Sequence, residues 1–369
     1  MTGAPVRVLT AVPLCDGHDS AITTINLEFI RQGIEVVYLG YHRSVADIVR
    51  AAVQEDVAAV GLSSYNGGHI EFFREVAQGL RNAGRPEIGL FGGGGGTITP
   101  TDAAQMHAEG TDRIFLPGST FDEMTGYVRG RYTSNVAEPS AEAPSDDWLA
   151  LARRITCLED GAAMNPPPRE KVPVVGITGP GGAGKTTLID ELARQYLELN
   201  PDRHIGILSH DPSSLQAGAL LGDRATMVYA QDDRVFLRSM ATRGQQGGLS
   251  PATVPALGWM TAAGFDLVLV ETVGIGQEAL PFPNGTVDRR VLVMNTDYGA
   301  RLQLQKILML EAADVVIANK HDRPGSATAE AEIRRHLDGF APDKPLIPTI
   351  ASRHADPGVA RLLELLLSP

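Results

Sequence analysis

Residues 174–197 read "VVGITGPGGAGKTTLIDELARQYL" and decide the class of the chain. Four apolar residues, Val174 to Ile177, form a strand-like run, a glycine-rich turn follows, and "TTLIDELARQYL" repeats its apolar positions at helical spacing. Gly179, Gly184, Lys185 and Thr186 satisfy G-x-x-x-x-G-K-[ST] in the strand–turn–helix context that gives this motif its meaning. Backbone N–H groups of Gly179, Gly181, Gly182, Ala183 and Gly184 can wrap phosphate oxygens, and the helix start at Thr186–Thr187 adds partial positive charge. Lys185 reaches the outer phosphates of such a ligand, and the Thr186 hydroxyl suits Mg²⁺. A chance glycine turn would lack both flanking elements.

Working outward, "VVIANKHD" (315–322) sets Asn319, Lys320 and Asp322 just after another apolar run. A carboxylate at Asp322 can accept from the N1–H and 2-amino edge of guanine, whereas adenine leaves it unpaired. "TIASR" (349–353), with Ser352, supplies a second segment suited to the base, so GTP is expected over ATP. Between these motifs, Asp211 in "SHDPSS", Asp223 in "LLGDR" and Glu271 in "LVLVETVGIGQ" are carboxylates near strand ends. They can hold Mg²⁺ directly or through water and orient an attacking water. Lys185, Glu271 and Asp223 are the expected catalytic groups. The bland alternative for Asp223 is a pair with Arg224. Arg224, Arg238 and Arg243 are candidates for an arginine that assists hydrolysis, and the sequence does not choose among them. "TDYGARLQLQK" (296–306) is a candidate mobile segment through which a partner modulates hydrolysis.

The N-terminal part repeats the α/β rhythm. "VRVLTAV" (6–12), "IEVVYLG" (34–40), "VAAVGLSS" (57–64), "IGLFGG" (88–93) and "DRIFLPG" (112–118) read as strands, with helices expected at 20–32, 44–55, 69–83 and 101–109. Runs apolar on both faces and separated by helices predict a parallel sheet with both faces covered. Ligands in such sheets bind beyond the carboxyl ends of the strands, where three loops are unusual: "CDGHDS", "SSYNGGH" and "GGGGGT". In the first, either Asp19 and Ser20 merely cap the next helix, or Asp16 and His18 do chemistry. From 133 to 171, Pro-, Ser- and charge-rich stretches bracket "WLALARRITCLEDG", predicting an interdomain linker with one helix. Strands of the second domain are expected at 172–178, 204–209, 266–271, 290–295, 314–319 and 346–350. The domains are thus 1–132, 133–171 and 172–369: α/β, with two parallel-sheet three-layer domains joined by a linker.

A net charge of −12 over 369 residues argues against nucleic acid, and 43% apolar content without an 18-residue apolar run argues against a membrane span. Two cysteines and a start without a basic, then apolar, leader point to the cytoplasm.

The string "SHDPSS…GALLGDR…ETVGIGQ…NKHD" resembles the MeaB/ArgK family of P-loop GTPases, chaperones of adenosylcobalamin-dependent acyl-CoA mutases. The N-terminal half is similar to the cobalamin-binding domain of those mutases, with D-x-H-x-x-G, S-x-L and Gly-Gly counterparts at Asp16-x-His18, Ser63-Ser64-Tyr65 and Gly92 to Gly96. Both modules in this order, over essentially all of the chain, resemble the fused isobutyryl-CoA mutase family. The resemblance implies a Rossmann/flavodoxin-like domain binding adenosylcobalamin and a G domain hydrolysing GTP to GDP on Mg²⁺. It makes His18 the lower cobalt ligand, with Asp16 fixing its tautomer. Ser63, Gly92, Gly93 and Gly94 would line the slot for the displaced nucleotide tail, and His69 is expected at a pocket edge or helix start.

The sequence departs from the pattern at Ala21 (Gly in the family), at Tyr65 (Leu) and in "AGALLGD", one glycine short. No barrel sequence follows the last helix, "GVARLLELLLSP", nor does an extra C-terminal helical arm, so the expected partner is an acyl-CoA mutase barrel subunit on a separate chain. A cobalamin-responsive regulatory GTPase and an N-terminal fragment of a fused mutase are the alternatives, and a homodimer stays open.

Overall fold

The computed structural model describes residues 5–13, 20–132, 147–168, 171–213, 218–245, 247–274, 282, 285–295 and 304–368. The chain divides into two compact units, residues 1–162 with 212–225, and residues 163–211 with 226–369.

In the first unit, strands β1 (Arg7–Ala11), β2 (Glu35–Tyr38), β3 (Ala59–Ser63), β4 (Gly89–Gly93) and β5 (Arg113–Phe115) alternate with helices α1 (Ser20–Arg31), α2 (Val45–Gln54), α3 (His69–Asn82), α4 (Pro100–Ala108) and α5 (Phe121–Arg131). Every pairing is parallel, because each connection is a helical crossover. β1 and β3 are buried along their whole length, which explains their continuous apolar runs. Two helix starts are written in the sequence: Ser44 with Asp47 and Thr99 with Asp102 form capping boxes on α2 and α4. The linker helix α6 (Trp148–Glu159), capped by Asp147, groups with this unit and buries Leu151, Ile155 and Cys157.

The second unit begins with β6 (Val174–Thr178), α7 (Lys185–Leu199) and β7 (Ile205–Asp211). The chain next contributes β8 (Leu220–Leu221) and the start of α8 (Asp223–Thr226) to the first unit. It returns through β9 (Val235–Ala241), α9 (Thr253–Thr261), β10 (Leu267–Glu271), β11 (Arg289–Met294), α10 (Leu304–Ala312), β12 (Val315–Ala318), α11 (Ser326–Asp338), β13 (Leu346–Pro348) and α12 (Pro357–Leu367). The sheet order is β13-β12-β11-β6-β10-β7-β9, all parallel, so β6 lies where the winding reverses. One apolar face is covered by α7 and α12, through Leu188, Leu192, Leu362 and Leu366, and Leu310, Ile333 and Leu337 of α10 and α11 pack against Leu292, Met294 and Val316.

Two features depart from the sequence reading. The domain boundaries expected at 132 and 171 give way to a first unit that reaches Ala162 and takes back residues 212–225 from the presumed G domain. β8 pairs with β2 in register Val36↔Leu220 and Val37↔Leu221, making the sheet order β5-β4-β3-β1-β2-β8. The approach needs glycine at 218, since a Cβ there would stand 1.8 Å from the Ile34 carbonyl oxygen. The second departure is β9, unanticipated because Arg238 interrupts its apolar run although every residue of the strand is buried.

The first unit carries a buried charge cluster. Arg7 on β1 bonds Glu35 of β2 and Glu159 of α6, each at 2.9 Å, with Glu55 3.8 Å away. Arg224 reaches Glu55 at 3.1 Å and Gln54 at 2.7 Å. Burial alone would lower the Arg7 pKa, but the carboxylates of Glu159, Glu35 and Glu55 overcome it and raise it above the usual value. Arg7→Met strands these carboxylates in apolar surroundings, at an expected cost of about 3–5 kcal/mol in the opening free energy of β1 and β2 amides by hydrogen exchange. A change under about 1 kcal/mol would contradict that role for Arg7.

Candidate functional site

The second unit places its chemistry at the carboxyl ends of β6, β10 and β12. The turn from β6 to α7 holds Gly179, Gly181, Gly182, Ala183 and Gly184, and α7 starts on Lys185, Thr186 and Thr187. Gly184 is the N-cap and supplies no capping side chain, so the first-turn N–H donors suit an anion. Lys185 is buried, its Nζ lying against Gly274 at 3.1 Å from the point a Cβ there would occupy.

Thr186 Oγ1 donates to Glu271 Oε1 at 2.8 Å, and Ser209 Oγ donates to Oε2 at 3.4 Å. A half-buried hydroxyl beside a buried carboxylate at the phosphate turn forms a suitable donor set for a hard cation. Among the described residues, no group of three His, Cys, Asp or Glu side chains could hold a metal. Asp211 ends β7, which β10 separates from β6. At two strand spacings, about 10 Å, it fits a role through water. Asp223 opens α8, in the first unit.

The base-reading segment grips the phosphate turn directly. Asn319 Nδ2 donates to the Ala183 carbonyl at 2.9 Å, and Lys320 Nζ donates to the Gly182 carbonyl at 2.6 Å. Asn319 Oδ1 in turn accepts from Thr349 Oγ1 and the Ala351 amide, tying "TIASR" to the same assembly. Asp322 and Ser352 are exposed beside it. Sequence reasoning missed Asn295, whose Nδ2 donates to the Gly182 carbonyl at 3.2 Å. The signal was available: "VLVMN" ends an apolar strand in Asn, as "VVIAN" does. His210 was also missed. Its Nδ1 lies 2.8 Å from the Glu271 carbonyl and its Nε2 2.7 Å from Thr253 Oγ1. The carbonyl can only accept, so Nδ1 carries a proton and donates, buttressing the end of β10.

In the first unit the strand order reverses between β1 and β3, the position where open α/β sheets bind ligands. A cavity of about 360 Å³ lies there, lined by Thr10, Ser63, Tyr65 and Gly92 to Gly95, with Phe29, Phe91 and Phe115 as apolar walls. A Cβ at Gly92 would stand 2.3 Å from the Leu62 carbonyl oxygen, so β4 can lie this close only as glycine. The Thr10 hydroxyl is buried in this wall without a hydrogen-bond partner among the described residues. An aromatic-walled slot with an unused hydroxyl fits a flat heterocycle with a polar edge, such as the nucleotide base of a cobalamin. His18 and Asp16 lie outside the described residues. His69 starts α3, with Nδ1 3.4 Å from the Asn66 carbonyl and Nε2 3.5 Å from Asp102 Oδ2. Hydrogen bonds from the Thr99 amide, then its hydroxyl, hold the Asp102 carboxyl below the usual carboxylate range.

Comparison with known proteins matches both units. The family model described as methylmalonyl Co-A mutase-associated GTPase MeaB covers residues 167–360, and the B12 binding domain model covers residues 6–124. Fused isobutyryl-CoA mutases of Geobacillus kaustophilus and Nocardia farcinica are 39% and 40% identical to the chain, each over 98% of it and 36% of their own length. That of Cupriavidus metallidurans is 39% identical over 97% of the chain and 35% of its own length. The chain thus spans about a third of the length of these relatives. With its phosphate turn clasped by the N-K-x-D segment and a B12-binding domain ahead of it, the chain belongs to the MeaB family of mutase-associated GTPases.

Proposed function

We propose that this protein binds adenosylcobalamin in its first unit, hydrolyses GTP to GDP and phosphate in its second, and serves as the cofactor-carrying G-protein component of an acyl-CoA mutase. The observation that carries the reading is the clasp of Asn319 and Lys320 on the Ala183 and Gly182 carbonyls, which joins a guanine-type reader to a triphosphate cradle. The slot at the β1/β3 reversal, with its unused Thr10 hydroxyl, supports the cobalamin half.

In the G domain, main-chain N–H groups of residues 181–187 and Lys185 bind and neutralise the phosphates. Thr186, Asp211, Asp223 and Glu271 would hold the Mg²⁺, directly or through water. The Thr186 hydroxyl, which here donates to Glu271, has an oxygen that would serve the ion. Asp322 accepts from guanine, and Ser352 closes the base edge. In the cobalamin domain, His18 would ligate the cobalt, Asp16 would hold its imidazole in the competent tautomer, and Ser63 with the glycines Gly92, Gly93 and Gly94 would receive the nucleotide tail. Adenosylcobalamin supplies a weak cobalt–carbon bond from which radical rearrangements start. The acyl-CoA site belongs to a barrel subunit, proposed to be a separate chain working with this one in the cytoplasm.

Two outcomes test the halves separately. Removing the guanine reader with Asp322→Ala is expected to weaken GTP binding about 100-fold, while Lys185→Ala abolishes phosphate release. Unchanged GTP affinity in the first variant would refute guanine recognition by that carboxylate. Wild-type protein with adenosylcobalamin is expected to give the absorption spectrum of nitrogen-ligated cobalt, and His18→Ala the spectrum of cobalt lacking that ligand. Identical spectra would remove His18 from the metal.

A further inference from the structure

The geometry points to Arg243 as the arginine that stabilises the charge developing on the γ-phosphate during hydrolysis, an inference that rests on the reading of the second unit as a GTPase.

Of the three arginines that the sequence leaves open, one lies in the first unit and one in the middle of a strand. Arg224 is fully buried in the first unit, bonded to Glu55 and Gln54. Arg238 is fully buried in the middle of β9, in register with Leu208 of β7. Arg243 differs from both. It is half-buried and sits two residues beyond the end of β9, at the carboxyl edge of the sheet where the phosphate turn also lies.

The path of its loop carries the argument. The Thr242 amide donates to the Asp211 carbonyl at 3.1 Å, fastening the start of the loop to the end of β7. The Gln245 amide donates back to Thr242, closing a turn around Arg243. Further on, the Val273 amide donates to the Gly248 carbonyl at 3.1 Å, fastening the loop to the segment leaving β10. That segment runs from Glu271, which accepts from Thr186, to Gly274, which packs on Gly181 and Lys185. Thr242 and Gly248 are therefore anchored at the carboxyl ends of β7 and β10, the second beside the strand end that touches the phosphate turn.

The backbone at Arg243 adds a second observation. Its φ is +48°, in the left-handed region, as are those of Gly244, Gly247 and Gly248 in the same loop. Position 243 is thus the one described left-handed position of this loop that keeps a side chain where glycine would cost least. Strain of this kind collects at functional sites, where the side chain is what the position is kept for.

The step is balanced without the arginine exchanging a proton. Water oxygen bonds to the γ-phosphorus, the bond from that phosphorus to the β–γ bridging oxygen breaks, and the electron pair leaves on the β-phosphate of GDP. The protons of the attacking water end on inorganic phosphate and solvent. A guanidinium, charged at every working pH, donates hydrogen bonds to the oxygens that gain charge.

Arg243→Gly makes the test clean, because glycine prefers the observed backbone and removes only the guanidinium. In the full chain with Mg-GTP, single-turnover hydrolysis is expected to fall about 10³-fold, with the Kd of a fluorescent GTP analogue within about threefold of wild type. Arg243→Lys, which keeps charge without the planar fork, is expected to lie between the two. Hydrolysis by Arg243→Gly within about tenfold of wild type, or a loss matched by an equal loss of GTP affinity, overturns the assignment. If wild-type protein binds GTP but never releases phosphate, the GTPase reading fails and takes this inference with it. A normal wild type beside an unimpaired glycine variant sinks the inference alone.

Discussion

Two hydrogen bonds, from Asn319 and Lys320 to the carbonyls of Ala183 and Gly182, set the terms for the second unit. They fix the distance between the N-K-x-D segment, the proposed base reader, and the glycine turn, the proposed phosphate cradle. Lys320 adopts a left-handed φ of +59° to make its bond, a conformation that L-residues avoid unless the surroundings impose it. Asn295 adds a third bond to Gly182 from the end of β11. A ligand that satisfies the base reader therefore meets a phosphate turn already braced at its carbonyls, leaving the amides for the anion. Such preorganisation lets binding energy serve the chemical step instead of ordering the loop.

The first unit depends on a different constraint, the charge cluster of Arg7, Glu35, Glu55, Glu159 and Arg224. One arginine comes from the first strand, and the other from a segment that the sequence places between β7 and β9. Ion pairs this deeply buried contribute little net stability when intact, yet they penalise any arrangement that separates their members. They specify that α6 and residues 218–225 belong with this sheet. Leu220 and Leu221 cover the β2 edge, which would otherwise expose unpaired main-chain groups.

Legibility in the sequence followed the range of the interactions. The phosphate turn, the N-K-x-D segment and the Glu271 strand end have local signatures, and the structure places them at the carboxyl ends of β6, β12 and β10 of one sheet. Both parallel sheets were legible because strands buried on two faces leave continuous apolar runs. β8 was not, since two residues carry no periodicity and their pairing depends on β2, far away in the chain. β9 hid behind Arg238, a charge in a strand whose burial no local pattern announces. The linker helix was legible as a helix but not in its allegiance, which rests on Glu159 meeting Arg7 across 152 residues. The serine and glycine turns of the slot were readable from composition, whereas Thr10 gained meaning only once the strand order placed it in the wall.

The central claim is that the braced turn serves guanine nucleotides, and competition between nucleotides tests it most directly. The intact protein is presented with Mg-GTP and a hundredfold excess of Mg-ATP, about 3 kcal/mol of discrimination, and phosphate release is followed for each. The account expects GTP turnover to proceed almost undiminished, with no detectable ADP. Comparable turnover of ATP, or suppression of GTP hydrolysis in proportion to the ATP present, would contradict it.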